Sequence, residues 1–249
     1  MRIGTWNVEY ARGSRNPDRR ALLMEHKADI WILTETHTDL DLSQTHSEVV
    51  CSEKRPGLNN RKVNDGSTWV TIWSKYRKLA DIKVRDPRRM VVAAFESPMG
   101  PLVVAGVVLP WHSDRGDVPP EPAPRNWAEY LRVLRSDLPS LLKTMRDVPE
   151  CKGLVIAGDF NSVLADPYPF PYPYPPEDLR LELLKMLRGE GFSIHTANTL
   201  YPKPSTPRML IDHVCTNMGN AEKVETWTGI DGKSPRLSDH PGVVVTLPV

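Results

Sequence analysis

Cysteine is scarce in this chain of 249 residues: Cys51, Cys151 and Cys215 are odd in number and widely separated. That spacing suits neither a disulfide framework nor a zinc module, and it favours a reducing compartment. Long apolar runs are also missing, so no segment approaches a membrane span. The amino terminus, Met-Arg-Ile-Gly-Thr-Trp-Asn, brings polar residues before any apolar stretch could act as a signal, and the expected location is cytoplasmic. Neither a P-loop sequence nor a dinucleotide fingerprint follows a strand, which removes support for nucleotide-triphosphate hydrolysis and for dinucleotide redox chemistry. Net charge is nearly absent, at +1.

What is plentiful is proline, 24 residues, about twice the usual share, which implies many fixed loops. Hydrophobic residues at 40% and charged residues at 25% give a soluble globular balance. The charge is unevenly spread. Residues 51–90 hold eleven Lys or Arg against four Asp or Glu, a balance of +7, whereas residues 1–50 come to −2 and residues 91–249 to −4. Lys75, Arg77, Lys78, Arg85, Arg88 and Arg89 either solvate a hairpin or converge on a polyanion, and only convergence in space makes a binding patch. The tract Tyr-Pro-Phe-Pro-Tyr-Pro-Tyr-Pro-Pro at 168–176 reads as a stiff extended loop. It either packs on its own chain or stacks on bases or sugar rings.

Residues 2–8 read as an apolar strand. A helix follows to about His26, with Asn16 as its cap and Pro17 in its first turn. Residues 28–34 read as a second strand buried on both faces. Short β-like runs at 46–51, 68–73, 79–84, 90–96 and 101–108 predict a largely antiparallel region, with loops at 54–67 and 112–125. Trp127, Tyr130, Leu131, Leu134, Leu138, Leu141, Leu142 and Met145 form one helical stripe that Pro139 kinks or divides. A strand at 153–157, a helix at 177–188 ending at Gly189, and strands at 192–196, 209–216, 222–228 and 242–247 complete the pattern. One two-sheet α/β domain over 1–249 is the economical arrangement, because each sheet buries one face on the other and its opposite face under helices.

Polar groups stand where the apolar strands end: Asn7, Glu35, Asp159 with Asn161, and Asp239 with His240. Strand ends expose such groups to a cleft while keeping their backbones rigid, as a phosphate or metal site requires. The ordered set Thr5-Trp6-Asn7, Leu33-Thr34-Glu35, Gly158-Asp159-Phe160-Asn161, Ile211-Asp212-His213 and Ser238-Asp239-His240 resembles the motifs of the endonuclease/exonuclease/phosphatase superfamily, which includes DNase I-like nucleases. The matches cover essentially the whole chain.

The resemblance implies a four-layered α/β/β/α sandwich with two central, mostly antiparallel mixed sheets. It also implies phosphate-ester hydrolysis with Mg²⁺, or Mn²⁺ in its place. In that reading Glu35 is the principal metal ligand, with Asn7 at the metal site and Asp239 a further ligand. Oxygen donors of this kind suit a hard divalent cation better than zinc. Asp159 orients or deprotonates the attacking water, and Asn161 holds that water or a phosphoryl oxygen. His240 contacts non-bridging phosphate oxygens, with Asp212 fixing its ring and favouring the imidazolium. Val108–Ser113 resembles the Leu-His-Ser stretch of DNase I-like members more than the tyrosine-bearing segment of AP endonucleases. His112 is therefore expected to act as a general acid toward the leaving group or as a phosphate contact, and abasic-site specificity loses support.

The expected activity is phosphodiester hydrolysis of DNA by an endonuclease, with Arg12, Arg15, Lys75 and Arg88 as candidate phosphate contacts. A small phosphorylated metabolite or a phospholipid head group is the alternative substrate. A phosphate-binding protein without catalysis is the alternative class.

Overall fold

The structure, a computed structural model, describes residues 1–11, 13–54, 65–114, 126–171, 173–201, 208–228 and 236–248. Two six-stranded sheets organise it. The first has the order β13 (Lys223–Thr228), β14 (Pro241–Thr246), β1 (Arg2–Asn7), β2 (Ile30–His37), β4 (Ser67–Ser74), β3 (Glu48–Cys51). The second runs β5 (Lys78–Ile82), β6 (Met90–Ser97), β7 (Gly100–Val108), β8 (Gly153–Asp159), β12 (Asp212–Thr216), β9 (Ser193–Ile194). A separate two-residue pair joins β10 (Leu200–Tyr201) to β11 (Arg208–Met209). Each large sheet contains one parallel pair, β1 with β2 and β7 with β8, and the other pairings are antiparallel. Parallel neighbours need a crossover. Helix α1 (Asn16–His26) supplies the first, and α2 (Ala128–Arg135) with α3 (Asp137–Arg146) the second.

Strand alternation sends successive side chains to opposite faces. Ile3 of β1 and Ile30 and Ile32 of β2 point inward and meet Phe95, Val104, Val155 and Val214 of the other sheet. Trp6, Trp31 and Leu33 point outward and pack against Leu23 of α1. The outer face of the second sheet is covered by Leu134, Leu138 and Leu141 of α2 and α3 and by Leu183 and Leu187 of α4 (Glu177–Gly189). The result is the expected four-layered α/β/β/α sandwich. Among the described residues no helix is long and apolar enough to cross a membrane.

Several local expectations are corrected. The stripe at 126–145 becomes two helices, but the break falls at Ser136, whose N–H bonds to Val133 O. Pro139 lies in the first turn of α3, where a missing N–H costs no intrahelical bond. Asn16 does not cap α1. It is the first helical residue, its Nδ2 donating to Ala11 O at 2.7 Å and its Oδ1 accepting from Arg19 at 3.0 Å. The run 209–216 divides between β11 and β12, and 192–196 shrinks to a two-residue strand. The second strand continues through Glu35 to His37 instead of stopping at 34. Most of the loops expected at 54–67 and 112–125 lies outside the described residues.

Candidate active site at one end of the sandwich

The strand directions gather the candidate residues. β1 ends at Asn7, its parallel neighbour β2 carries Glu35 near its own end, and β8 ends at Asp159. β12 is antiparallel to β8 and starts at Asp212, directly opposite Asp159. β14 is antiparallel to β1, so His240, which precedes it, also arrives at this end. Ser238 Oγ donates to Asn7 O at 2.6 Å, and Trp6 Nε1 donates to His240 O at 3.1 Å. These bonds hold the 236–240 segment against β1.

Each position of Gly158-Asp159-Phe160-Asn161 has a separate task. Gly158 has φ +136°, and a Cβ there would meet Val107 O at 2.1 Å, so only glycine fits. Asp159 Oδ1 accepts the Asn161 N–H at 2.8 Å. Phe160 is fully buried in the core under the helices. Asn161 takes φ +45°, which asparagine tolerates better than most residues, and its Nδ2 donates to Leu109 O at 2.8 Å. Glu35 also takes a left-handed φ, +50°, and the β2–β4 register steps from Thr34↔Val70 to Thr36↔Thr68 without it. Left-handed glutamate inside a strand is a strained conformation of the kind that clusters at functional sites.

The electrostatics are those of crowded, buried carboxylates. Asn7 Nδ2 donates to Asp159 Oδ2 at 3.2 Å and to Glu35 Oε1 at 3.3 Å, bridging the two sheets. Its Oδ1 accepts the Glu9 N–H at 3.0 Å, which orients the amide so that Asn7 meets the carboxylates as a donor. Burial pushes the Asp159 carboxyl up to about 7; Asp212 and Glu35 add to this, and His240 and the Asn161 N–H oppose it. Burial works against a charged His240, but the Asp212 carboxylate outweighs it through charge and a 2.6 Å hydrogen bond to Nδ1. With Asp159 and Asp239 adding their charge, the imidazolium persists up to about 10.

This site fits a divalent cation. Asp212 is fully buried, and its Oδ1 has no hydrogen-bond partner among the described residues. Asp159 and Asp212 each place a carboxylate oxygen within 4.8 Å of the other and of the His240 ring, which as an imidazolium brings charge and no lone pair, so the ligand atoms here are the carboxylate oxygens. Glu35 adds a third carboxylate to the neighbourhood. A hard, oxygen-preferring cation neutralises such a set.

The remaining candidates are placed less uniformly. Asp239 is exposed and ion-paired to Arg236 at 3.3 Å, and Arg236 also binds Glu9 at 2.7 Å. His112 is exposed in the turn after β7, its ring edge-on to Trp127 with centroids 6.0 Å apart. Arg12 lies outside the described residues. Arg15 is exposed and binds Arg236 O, beside the site. Arg88 precedes β6, whose Met90 pairs with Val107, so it lies at the site's end.

Lys75 does not belong with these residues. The antiparallel β2–β4 register pairs Ser74 with Ile30, and Lys75 binds Asp29 at 3.2 Å, at the opposite end of the sandwich. Arg89, read from sequence as a hairpin cation, is buried between Asp114 at 2.6 Å and the Trp69 ring at 5.5 Å. There it braces the turn carrying His112, because Asp114 belongs to that turn and Arg89 O accepts the Val108 N–H. Sequence reasoning missed this role, as it missed Arg236. Spacing carries no signal for either.

The comparisons with known proteins agree with this geometry. The model of the Endonuclease/Exonuclease/phosphatase family matches residues 4–240, and the chain belongs to that family. Its reaction class is accordingly that of metal-dependent nucleases and phosphoesterases. No curated protein matches the chain by sequence. Among solved structures, an endonuclease/exonuclease/phosphatase from Beutenbergia cavernae aligns with TM-score 0.69 at 16% identity, over 98% of this chain and 70% of that one. The 3′ phosphatase NExo from Neisseria, bound to product DNA hairpin, gives 0.69 at 19% identity, with both chains fully covered. An AP endonuclease from Archaeoglobus fulgidus gives 0.66 at 19%, again over both whole chains.

Proposed function

We propose that this protein is a Mg²⁺-dependent phosphodiesterase acting on DNA. The observation that carries the reading is the placement of Asp159 opposite the Asp212–His240 pair, with Glu35 bridged to Asp159 through Asn7. A carboxyl titrating near neutrality is suited to accept a proton from water. Asp159 is held for that task by the Asn161 N–H and the Asn7 amide. His240 stays charged through neutral pH and aims a fixed positive charge at the non-bridging oxygens of the phosphate, where negative charge grows in the transition state. Asp212 fixes which ring nitrogen faces inward. Glu35, beside the buried aspartates, would hold a divalent cation, which would supply charge neutralisation and Lewis acidity toward a phosphoryl oxygen. His112, presented on the turn that Arg89 and Asn161 hold, donates a proton to the leaving oxygen.

DNA is favoured because structural relatives include the Neisseria protein NExo, described as a 3′ phosphatase bound to product DNA hairpin and as a 3′-5′ exonuclease, and an AP endonuclease. Arg15 and Arg88 stand at the same end as the site. A small phosphate ester or a phospholipid head group is the second reading. It is favoured by the scatter of the basic segment: Arg77 pairs with Glu96, Lys78 with Asp81, and Lys75 sits at the far end.

The test is hydrolysis by wild-type and Asp159→Ala protein with Mg²⁺, Mn²⁺ or EDTA. Supercoiled plasmid, linear and single-stranded DNA, RNA, bis-p-nitrophenyl phosphate and p-nitrophenyl phosphate are the substrates. Nicking of plasmid that needs both metal and Asp159 supports an endonuclease, and shortening of linear DNA alone supports exonucleolytic action. Intact nucleic acid with a cleaved small ester overturns DNA as substrate. No turnover of any substrate overturns the reading as a general phosphoesterase.

A further inference from the structure

The Tyr/Phe/Pro tract divides into two parts that behave differently. Tyr168 packs edge-on against Phe170 at 5.9 Å and lies under the Arg180 guanidinium at 5.2 Å, so this half is tied to its own chain. Tyr174 turns to the active site. Its carbonyl accepts the Val163 N–H at 2.9 Å, two residues beyond Asn161. Its ring meets Trp127 with centroids 5.0 Å apart, and 37% of the residue remains exposed. Trp127 is braced in turn by the fully buried Tyr130 at 5.4 Å and bonds through its N–H to His112 O at 3.0 Å. It takes a left-handed φ of +68°, a strained conformation for a bulky residue. His112 closes the row at 6.0 Å from Trp127.

His112, Trp127 and Tyr174 thus form a continuous aromatic wall from the Leu109–Asp114 turn to the segment after Asn161. Asp159 is near enough for its charge to raise the Tyr174 hydroxyl beyond the effect of burial. Trp127 meets the Tyr174 ring edge-on, at 72°, so it props that ring, and the partly exposed Tyr174 ring beside the phosphate site offers its face to a flat group attached to that phosphate. We infer that Tyr174, propped edge-on by Trp127, is a stacking platform for the base of a nucleotide flanking the scissile phosphate, which makes Tyr174 a specificity-determining residue. Stacking discriminates little among bases, because every base has a π-face. The platform therefore distinguishes nucleotides from phosphates bearing no ring, and it rests on the nuclease reading above.

The experiment uses single-stranded oligodeoxynucleotides with one cleavable linkage, all others being phosphorothioates. One set carries bases on both sides of that linkage, and the others replace the base on one side or the other with tetrahydrofuran. In wild-type protein, loss of the base on one side is expected to raise KM about tenfold, the order contributed by stacking on one aromatic ring, with kcat changed less than about twofold. Tyr174→Ala is expected to show the raised KM already on the full substrate and no further rise when the base is removed. Tyr174→Phe is expected to behave as wild type, since it keeps the ring. Unchanged KM in Tyr174→Ala, or an equal rise on substrates with and without the base, overturns the platform. Failure of wild-type protein to cleave any of these oligonucleotides, when it turns over a small ester, overturns the nuclease reading and the base as occupant together.

Discussion

The two ends of the sandwich use the same residue types in opposite ways. At the end away from the site, Asp29 accepts the Arg2 N–H and pairs with Lys75, and Glu225 lies between Arg2 and Lys223. The Lys223 hydrogen bond and the Arg2 charge hold the Glu225 carboxyl below its ordinary range despite some burial. At the site end, Asp159 and Asp212 face each other across two strands with Glu35 nearby, and the Asp159 carboxyl is driven up instead. At the far end each of these carboxylates meets a cation, whereas in the site itself the buried carboxylates crowd one another with His240 as the cation among them. Folding alone gains nothing from the second arrangement. The sandwich holds it because the cores between and outside the sheets supply the stability that the site gives up.

Breaking the site end has the largest expected effect. Asp159→Ala should lower kcat/KM by about a thousandfold, the range of a lost general base, while far-ultraviolet circular dichroism remains that of the wild type. Retention of more than a tenth of wild-type turnover would remove Asp159 from the mechanism.

Asp212→Asn comes next, with a loss of roughly a hundredfold through the weakened imidazolium. Without Asp212 the His240 pKa should drop from about 10 toward 6.5, read as an imidazole titration by NMR. The activity of the variant should then fall as pH rises above about 7, where the wild type still holds its charge. A His240 titration that stays near 10 in the variant would show that other groups hold the proton.

The third expectation concerns stability. Asp159 has a raised folded-state pKa, so its contribution is fully present below the ordinary carboxylate value of 3.8 and is lost as pH rises through about 7. His240 is also raised, and its contribution is present below 6.5 and lost as pH rises through about 10. Together they make the metal-free protein progressively less stable as pH rises from about 4 to about 10. Mg²⁺ requires ionised carboxylates, so it should raise Tm by about 2–4 °C at pH 8 and by little at pH 5. Scanning calorimetry of wild type and Glu35→Gln checks this, the variant losing most of the shift.

The smallest effects belong to the far end. Lys75→Ala should change turnover less than about twofold and stability by less than about 1 kcal/mol, because the Lys75–Asp29 pair is partly exposed. A clear rise in KM for DNA in that variant would show that nucleic acid reaches around the molecule.

Much of this contrast is legible in sequence, but unevenly. Asp159 and Asn161 are readable as strand-end polar groups within the Gly158–Asn161 motif, whereas the positive φ that requires Gly158 and the burial of Phe160 emerge only in the fold. The neighbours Asp212 and His213 are harder. Alternation along β12 sends Asp212 to the cleft with His240, whereas His213 bonds Thr196 and Ser162 O and is driven by burial to about 4. Adjacent letters give no hint of that division until the strand's partners are known. The basic segment is harder still, since Lys75 and Arg88 lie 13 positions apart on the same stretch of sequence yet reach opposite ends of the sandwich.

The sequence by itself determined most of the strands and helices in outline, the two-sheet class, and the five motifs that name the family, because these depend on local periodicity and on the order of short signals. Only the tertiary structure decided which charges are matched and which are crowded. It seated Arg89 beneath the His112 turn, drew Asp239 toward Arg236, and turned Tyr174 to the site while Tyr168 packed on its own chain. Those outcomes depend on register and distance between segments far apart in the chain, and electrostatic and stacking energies change over a few ångströms that no linear pattern records.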